Sequence, residues 1–336
     1  LVTLKLGLYI SSFGVEDDTR SRLDEIIAQV RLARDSGFRS VWAAQHYLSR
    51  PLQMFQALPL LSRLIPETDG MAIGPNILVL PLLNPAVVAE ESATMDYLSG
   101  GRYVLGVGLG YRAEEFEVFH VLKSERVGRM IEAIGLIRRL WTEEVVQHNG
   151  EFYQVPAMGL SIRPIRPEGP PIWIGASVDP AIKRAARLGD AWLITFYPSI
   201  EWLCRQMAVY RQALAEAGKS DPEEMPILRE CYVSPVQKAA FEECRSSLEV
   251  KYRVYASWGQ DRFLPEGERF DQPFDKYVQD RFIIGEPSFI REEIERYHET
   301  LGVNHFILRI YWPGLEQERA LRTIRLLGKH VIPYLA

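Results

Sequence analysis

Leu98-Ser-Gly-Gly-Arg-Tyr-Val-Leu-Gly-Val-Gly-Leu-Gly-Tyr-Arg112 holds a helix stop, a turn, a buried strand and a glycine-rich exit in one short run. Ser99-Gly100-Gly101 ends a helix, because glycine takes the left-handed conformation that closes one. Arg102 to Val107 is an apolar run suited to a parallel strand covered on both faces. Gly106, Gly108 and Gly110 then strip side chains from the strand's exit, which lets a flat ligand lie against bare backbone. Relief of crowding inside a barrel strand is the plainer reading of the same glycines.

Outward from this run, strand-like and helix-like segments alternate along the whole chain. Leu4 to Ile10, Ser40 to Gln45 and Met71 to Leu80 precede it as strands, separated by helices over Thr19 to Arg34, Met54 to Leu64 and Pro85 to Leu98. Ser124 to Trp141 is the long helix that follows it. Strands over Pro171 to Gly175, Ala191 to Thr195, Ile227 to Val233 and His305 to Tyr311 come next. Their helices are Pro180 to Leu188, Ile200 to Ala217, Pro235 to Tyr255 and Leu315 to His330. Eight βα units without a break in composition predict an α/β fold, a (β/α)8 TIM barrel forming a single domain over 1–336. Two insertions interrupt the alternation, at about 143–170 and 257–284, and the second is placed to act as a lid over a barrel mouth.

The 336 residues are 47% hydrophobic and 25% charged, with a net charge of −5. Both signs are spread along the chain, which argues against a nucleic-acid partner. The longest apolar stretch, around Ile73 to Leu83, is broken by Pro75, Asn76 and Pro81 and does not suit a bilayer span. Leu1 to Ile10 is too short for a secretory signal, and the three cysteines form no metal-ligand pair, so the expected setting is a reducing cytoplasm.

The six histidines show no metal-ligand spacing, and the chain has neither a nucleophile elbow nor a P-loop. Tyr111 replaces the third glycine of a dinucleotide fingerprint. His46 stands out by position. It follows the second strand, on the face where barrels do chemistry, and an imidazole there can relay a proton near neutral pH. A structural histidine capping the strand is the alternative. Gly175-Ala-Ser177 leads into a helix with Pro180 at its start, an arrangement that favours an anion at the free N–H groups. The alternative is an ordinary cap in which Asp179 fills the helix end. Arg126 and Arg129 share one face of their helix and can offset that charge. Loop aromatics, Phe13, Tyr47, Phe55, Tyr111, Tyr197, Trp258, Phe263 and Trp312, are available to wall an apolar pocket for cofactor and substrate.

Taken together, several ordered segments resemble the bacterial luciferase-like flavin-dependent oxidoreductases. They include Val41 to Tyr47, Gly74 to Pro85, Ala89-Glu-Glu91 with Asp96, the opening run with Glu115-Phe116, and Arg126 to Arg129 with Glu132 and Leu140-Trp141. Gly175 to Ser177, Gly189 to Trp192 and Ile284 to Pro287 complete the order. The resemblance implies a flavin over the C-terminal mouth of the barrel. It places Gly175, Ala176 and Ser177 at the flavin phosphate, with Arg126 or Arg129 assisting, and Asn76, Gly108 and Tyr111 near the ring or ribityl chain. It matches His46 to the histidine beside the reactive ring. Gln45 stands where many relatives carry an acid, and Leu109 where true luciferases carry an arginine, which points away from light emission.

The resemblance further implies a monooxygenase using reduced FMN and O2, a small organic substrate held by Phe13, Phe55, Tyr197, Trp258 and Trp312, a separate flavin reductase, and a homodimer. Two alternatives stay open: an oxygen-independent oxidoreductase using a deazaflavin, and a non-catalytic flavin-binding protein.

Overall fold

Short β-rich runs, buried on both faces, pair side by side in a computed structural model that describes residues 3–14, 16–264, 268–270 and 272–335. The strands are β1 (Lys5–Ile10), β2 (Ser40–Ala43), β3 (Ala72–Pro75), β4 (Leu105–Gly108), β5 (Ile172–Ala176), β6 (Ala191–Ile194), β7 (Pro226–Val233) and β8 (His305–Arg309). All are parallel, in the order β3-β2-β1-β8-β7-β6-β5-β4, with Leu78–Val79 adding a ninth short strand beside β4. Register pairs such as Leu8↔Leu308 and Leu8↔Val41 set branched side chains on the outer face of the sheet, where they pack under the helices. A bridge between Ile73 and Tyr103 joins the two ends of the sheet, with Val104 N donating to Ile73 O at 2.9 Å. The (β/α)8 barrel expected from the alternation is the fold.

The helices α1 (Thr19–Asp35), α2 (Ala57–Leu64), α3 (Pro85–Leu98), α4 (Ala113–Val118), α5 (Arg126–Thr142), α6 (Asp179–Leu188) and α7 (Ile200–Glu216) follow the first six strands. α8 (Gln237–Ser257), α9 (Phe274–Val278), α10 (Pro287–Leu301) and α11 (Gln317–His330) complete the set. None is long and apolar enough to cross a membrane among the described residues.

The first insertion folds as an antiparallel hairpin, Val146–Asn149 against Gln154–Met158. It is tied down by Glu132 of α5, whose carboxylate accepts from Phe152 N (3.0 Å), Tyr153 N (2.9 Å) and His148 Nε2 (2.9 Å). The second insertion is not a detached polar flap. Tyr252 of α8 packs rings with Phe270, Tyr277 and Phe282 at centroid separations of 5.2, 5.0 and 5.4 Å. Ile283–Gly285 then pairs with β7. Residues 265–267 and 271 of this stretch lie outside the described residues.

The N-terminal end of the barrel is plugged. His305 bridges Ser40 Oγ (2.6 Å) and Glu224 (2.8 Å), Trp42 Nε1 donates to Ser40 Oγ (2.7 Å), and Trp42 stacks on Trp173 at 4.8 Å. Gly7 is required here, since a Cβ on it would lie 2.2 Å from Ser40 Oγ. With this end closed by packed side chains, the open space lies at the opposite, C-terminal face.

Candidate active site

A cavity of about 360 Å³ opens at the C-terminal ends of the strands, within the range of small-molecule and cofactor sites. Each barrel strand or the loop after it contributes to the wall. Tyr9, Ala44 to His46, Asn76, Ile77 and Val79 form one side, and Gly108 to Tyr111 and Gly175 to Val178 form the next. Leu193, Thr195 to Tyr197, Leu228 and Arg309 complete the circle, with Tyr255 of α8 and Gln260, Arg262 and Phe263 of the second insertion covering it.

His46 sits on this wall, 17% exposed. Its Nδ1 lies 3.0 Å from a carboxylate oxygen of Glu115, a side chain only 1% exposed in the first turn of α4. The same oxygen accepts from Tyr47 N at 2.8 Å and lies 3.6 Å from Arg112. Arg112 in turn donates to Tyr47 O and Leu48 O and lies over the Trp258 ring at 4.5 Å. The imidazole is therefore fixed by a carboxylate at Nδ1, with Tyr111 at 5.7 Å and Trp258 at 5.5 Å edge-on to its ring. Gln45 leaves no acid beside His46 in sequence, and its amide oxygen instead accepts from Val79 N at 3.4 Å. The acid comes from Glu115, a partner that the sequence reading missed. Glu115-Phe116 was visible only as part of the family pattern, and nothing local says that it reaches back 69 residues to His46.

The other end of the cavity is basic. α6 begins at Asp179 after Val178, with no side-chain cap on its first turn. Asp179 does not fill the cap: its carboxylate pairs with Arg205 at 3.0 and 3.1 Å, which removes the charge that would oppose an anion. Arg126 lines the cavity and Lys123 beside it donates to Tyr111 O at 2.6 Å. Burial, together with the charges of Arg126 and Arg262, lowers the Lys123 ammonium below its ordinary range. Arg184 on α6 is lowered likewise, by burial and by Arg126. Among the described residues no carboxylate forms an ion pair with Lys123, Arg126, Arg184 or Arg262. Arg129 is different. It pairs with Glu125 at 2.9 Å and lies over Phe152, outside the cavity wall.

The glycines of the β4 exit follow the packing alternative rather than the bare ligand platform. A Cβ on Gly106 would lie 2.0 Å from Pro75 O, one on Gly108 2.9 Å from Ile77 Cδ1, and one on Gly110 2.4 Å from Val79 Cγ1. All three yield to alternate residues of the segment leaving β3. Gly110 also has φ +72°, where a side chain is strained. Gly108 and Gly110 still border the cavity, but packing of Pro75 to Val79 is what demands them.

Of the remaining anticipated residues, Asn76, Tyr111, Gly175, Ala176, Ser177 and Tyr197 line the cavity. Trp258 reaches it only through His46 and Tyr255, against which it stacks at 5.5 Å. Phe13, Phe55 and Trp312 lie outside the wall. Phe13 and Phe55 pack on each other at 5.5 Å, and Trp312 is fully buried with its indole N–H donating to Glu230.

Two buried polar atoms on the wall, Asn76 Nδ2 and the Tyr111 hydroxyl, have no partner within the protein. Together with the uncapped α6 and the basic side chains, they fit a flat, hydrogen-bonding ligand with an anionic tail, as a flavin is. Fold and site thus suit an α/β-barrel enzyme with a flat-ligand site at its C-terminal mouth. The chain belongs to the luciferase-like monooxygenase family, whose profile matches residues 5–304. It is 29% identical over 336 residues to the F420-dependent glucose-6-phosphate dehydrogenase of Amycolatopsis mediterranei, covering 95% of each chain. It is 23% identical over 348 residues to the oxygenase component of the flavin-dependent trigonelline monooxygenase of Acinetobacter baylyi, covering 98% of this chain and 95% of that one. The fold superposes on that of the monooxygenase RslO1 from Streptomyces bottropensis with a TM-score of 0.88 at 23% identity, covering 99% and 100% of the two chains. The relatives therefore include both a flavin-dependent monooxygenase and an F420-dependent dehydrogenase.

Proposed function

We propose that the chain, a single barrel domain with two insertions, is the oxygenase component of a two-component monooxygenase. It takes reduced FMN from a separate cytoplasmic reductase and oxidises a small organic substrate with O2. The observation that carries this reading is the His46–Glu115 pair under an aromatic cover. Tyr111, Trp258 and Phe263 shield it from solvent, as oxygen chemistry on a flavin requires. Reduced flavin supplies the electrons that activate O2, and activated oxygen is wasted as hydrogen peroxide wherever water enters.

In this reading Gly175, Ala176 and Ser177 hold the phosphate at the start of α6, and Arg126 with Lys123 neutralises it. Asn76 and Tyr111 direct their unpartnered donors at the ring system, and Gly108 lets the wall approach it. His46 moves a proton at Nε2 while Glu115 holds Nδ1 and fixes the imidazole's orientation. Tyr197 and Phe196 face the substrate. A homodimer belongs to the same proposal, supported by the exposed apolar side chains Val87, Tyr97 and Leu98 at the two ends of α3.

Comparing FMN with riboflavin tests the cofactor end. Wild type is expected to bind FMN more tightly than riboflavin, and Arg126→Ala to narrow the gap by about ten-fold, a charge-assisted hydrogen bond's worth. Equal affinity for the two ligands in wild type removes the phosphate site from the account. The second reading, hydride transfer with a deazaflavin, is supported by the Amycolatopsis relative, whose likeness extends over 95% of both chains.

A further inference from the structure

Arg309 ends β8, and its side chain lies on the cavity wall while being almost wholly buried. Its guanidinium is sandwiched between the rings of Tyr9 at 4.4 Å and Phe196 at 4.5 Å, which fixes its plane. Nη1 donates to Glu230 at 2.9 Å, whereas Nε, although buried, has no partner. Glu230 is already committed elsewhere. It also accepts from Lys251, from the Tyr252 hydroxyl at 3.0 Å and from the Trp312 indole. Arg309 and Lys251 thus share one buried carboxylate, and Lys251 is further enclosed by Phe196, Tyr252 and Tyr255. Arg309 stays protonated at any working pH, and a buried guanidinium is costly unless each donor finds an acceptor.

Position separates this group from the cofactor end. Lys123 and Arg126 come from the segment after β4 and Arg184 from α6, with Arg262 reaching over from the second insertion, and β8 lies across an eight-stranded barrel from β4. Between them the wall is mostly apolar, with Leu193, Phe196, Tyr197 and Leu228 around Thr195.

We infer that Arg309 anchors a second anion subsite in the cavity, which takes the carboxylate of an organic substrate whose flat or apolar body lies along Leu193, Phe196 and Leu228. The assignment of this ligand as substrate rests on the function proposed above, whereas the subsite itself does not. The Glu230–Lys251 pair holds Arg309 in place from behind, so that the guanidinium meets the ligand already oriented.

Benzoate and its neutral isostere benzamide are suitable probes, titrated into the FMN-saturated protein and followed by tryptophan fluorescence and thermal shift. Wild type is expected to bind benzoate at least about ten-fold more tightly than benzamide. Arg309→Met should erase that preference, Arg309→Lys should restore part of it, and neither should alter FMN affinity by more than about two-fold. Equal binding of the two probes by wild type, which needs no variant to fold, overturns the inference. So does an Arg309→Met protein that keeps the preference, or one that loses FMN instead, which would assign Arg309 to the cofactor. A protein that prefers a deazaflavin and consumes no oxygen would refute the oxygenase reading while leaving the benzoate comparison intact.

Discussion

The contact between His46 and Glu115 makes a prediction that needs no knowledge of the substrate. Glu115→Ala removes the acceptor of His46 Nδ1 (3.0 Å) and of Tyr47 N (2.8 Å), and leaves Arg112 with only carbonyl partners. A hydrogen bond to an ionised group contributes roughly 1.5–3 kcal/mol, and an unmet buried donor costs about 1–3 kcal/mol. The expected destabilisation is about 2–4 kcal/mol, because Tyr47 N–H and Arg112 both lose a carboxylate. His46→Ala keeps both of those contacts and is expected to cost about 1–2 kcal/mol. In the double variant the direct bond is lost only once, so the singles should exceed additivity by about 1–2 kcal/mol. The value sits at the lower end because the imidazole is 17% exposed. Equilibrium urea unfolding of the four proteins measures the coupling. Additivity within about 0.5 kcal/mol would mean that Glu115 serves the Tyr47–Arg112 turn and does not hold the histidine.

Two further outcomes follow from the packing. Gly106→Ala places a Cβ against Pro75 O and should destabilise by about 1–3 kcal/mol, whereas Gly135→Ala, on the exposed face of α5 with open space around it, should stabilise by about 0.5–1 kcal/mol; thermal melts of both variants check the contrast. At the plugged end, burial alone would raise the Glu224 carboxyl, but the His305 hydrogen bond and the His305 and Lys5 charges outweigh it and bring the group down to about 2. A folded value below the unfolded one gives stability that is present above the ordinary carboxyl range and is lost as pH falls toward about 2. Glu224→Gln should therefore flatten the fall of melting temperature between about pH 5 and pH 2, and an unchanged slope would contradict the assignment.

The barrel was legible because its strands are short apolar runs between turn signals, and that pattern is set locally. His46 and the Gly175 to Ser177 loop were legible for a related reason: a residue just past a barrel strand must face the C-terminal mouth. Local reasoning failed where the deciding contact is distant. For Gly106, Gly108 and Gly110 a ligand platform and relief of crowding both stayed open, and what decides for crowding is Pro75, Ile77 and Val79 on the neighbouring strand's exit. Asp179 looked like a cap opposing an anion until Arg205, 26 residues on, drew its carboxylate away. Phe13 and Trp312 sit in loops by sequence but turn inward, one onto Phe55 and the other onto Glu230. Glu115 and Arg309 gave no signal of their own. What marks them is burial together with partners that only the closed barrel brings near.

The measurement that bears most directly on the proposed chemistry is an anaerobic titration with reduced FMN and with reduced deazaflavin, followed by addition of O2. The account predicts that FMN is the preferred ligand and that oxygen is consumed by the complex, with less peroxide released than from free reduced FMN. Preference for the deazaflavin with no oxygen uptake would contradict it and assign the His46–Glu115 pair to hydride-transfer chemistry.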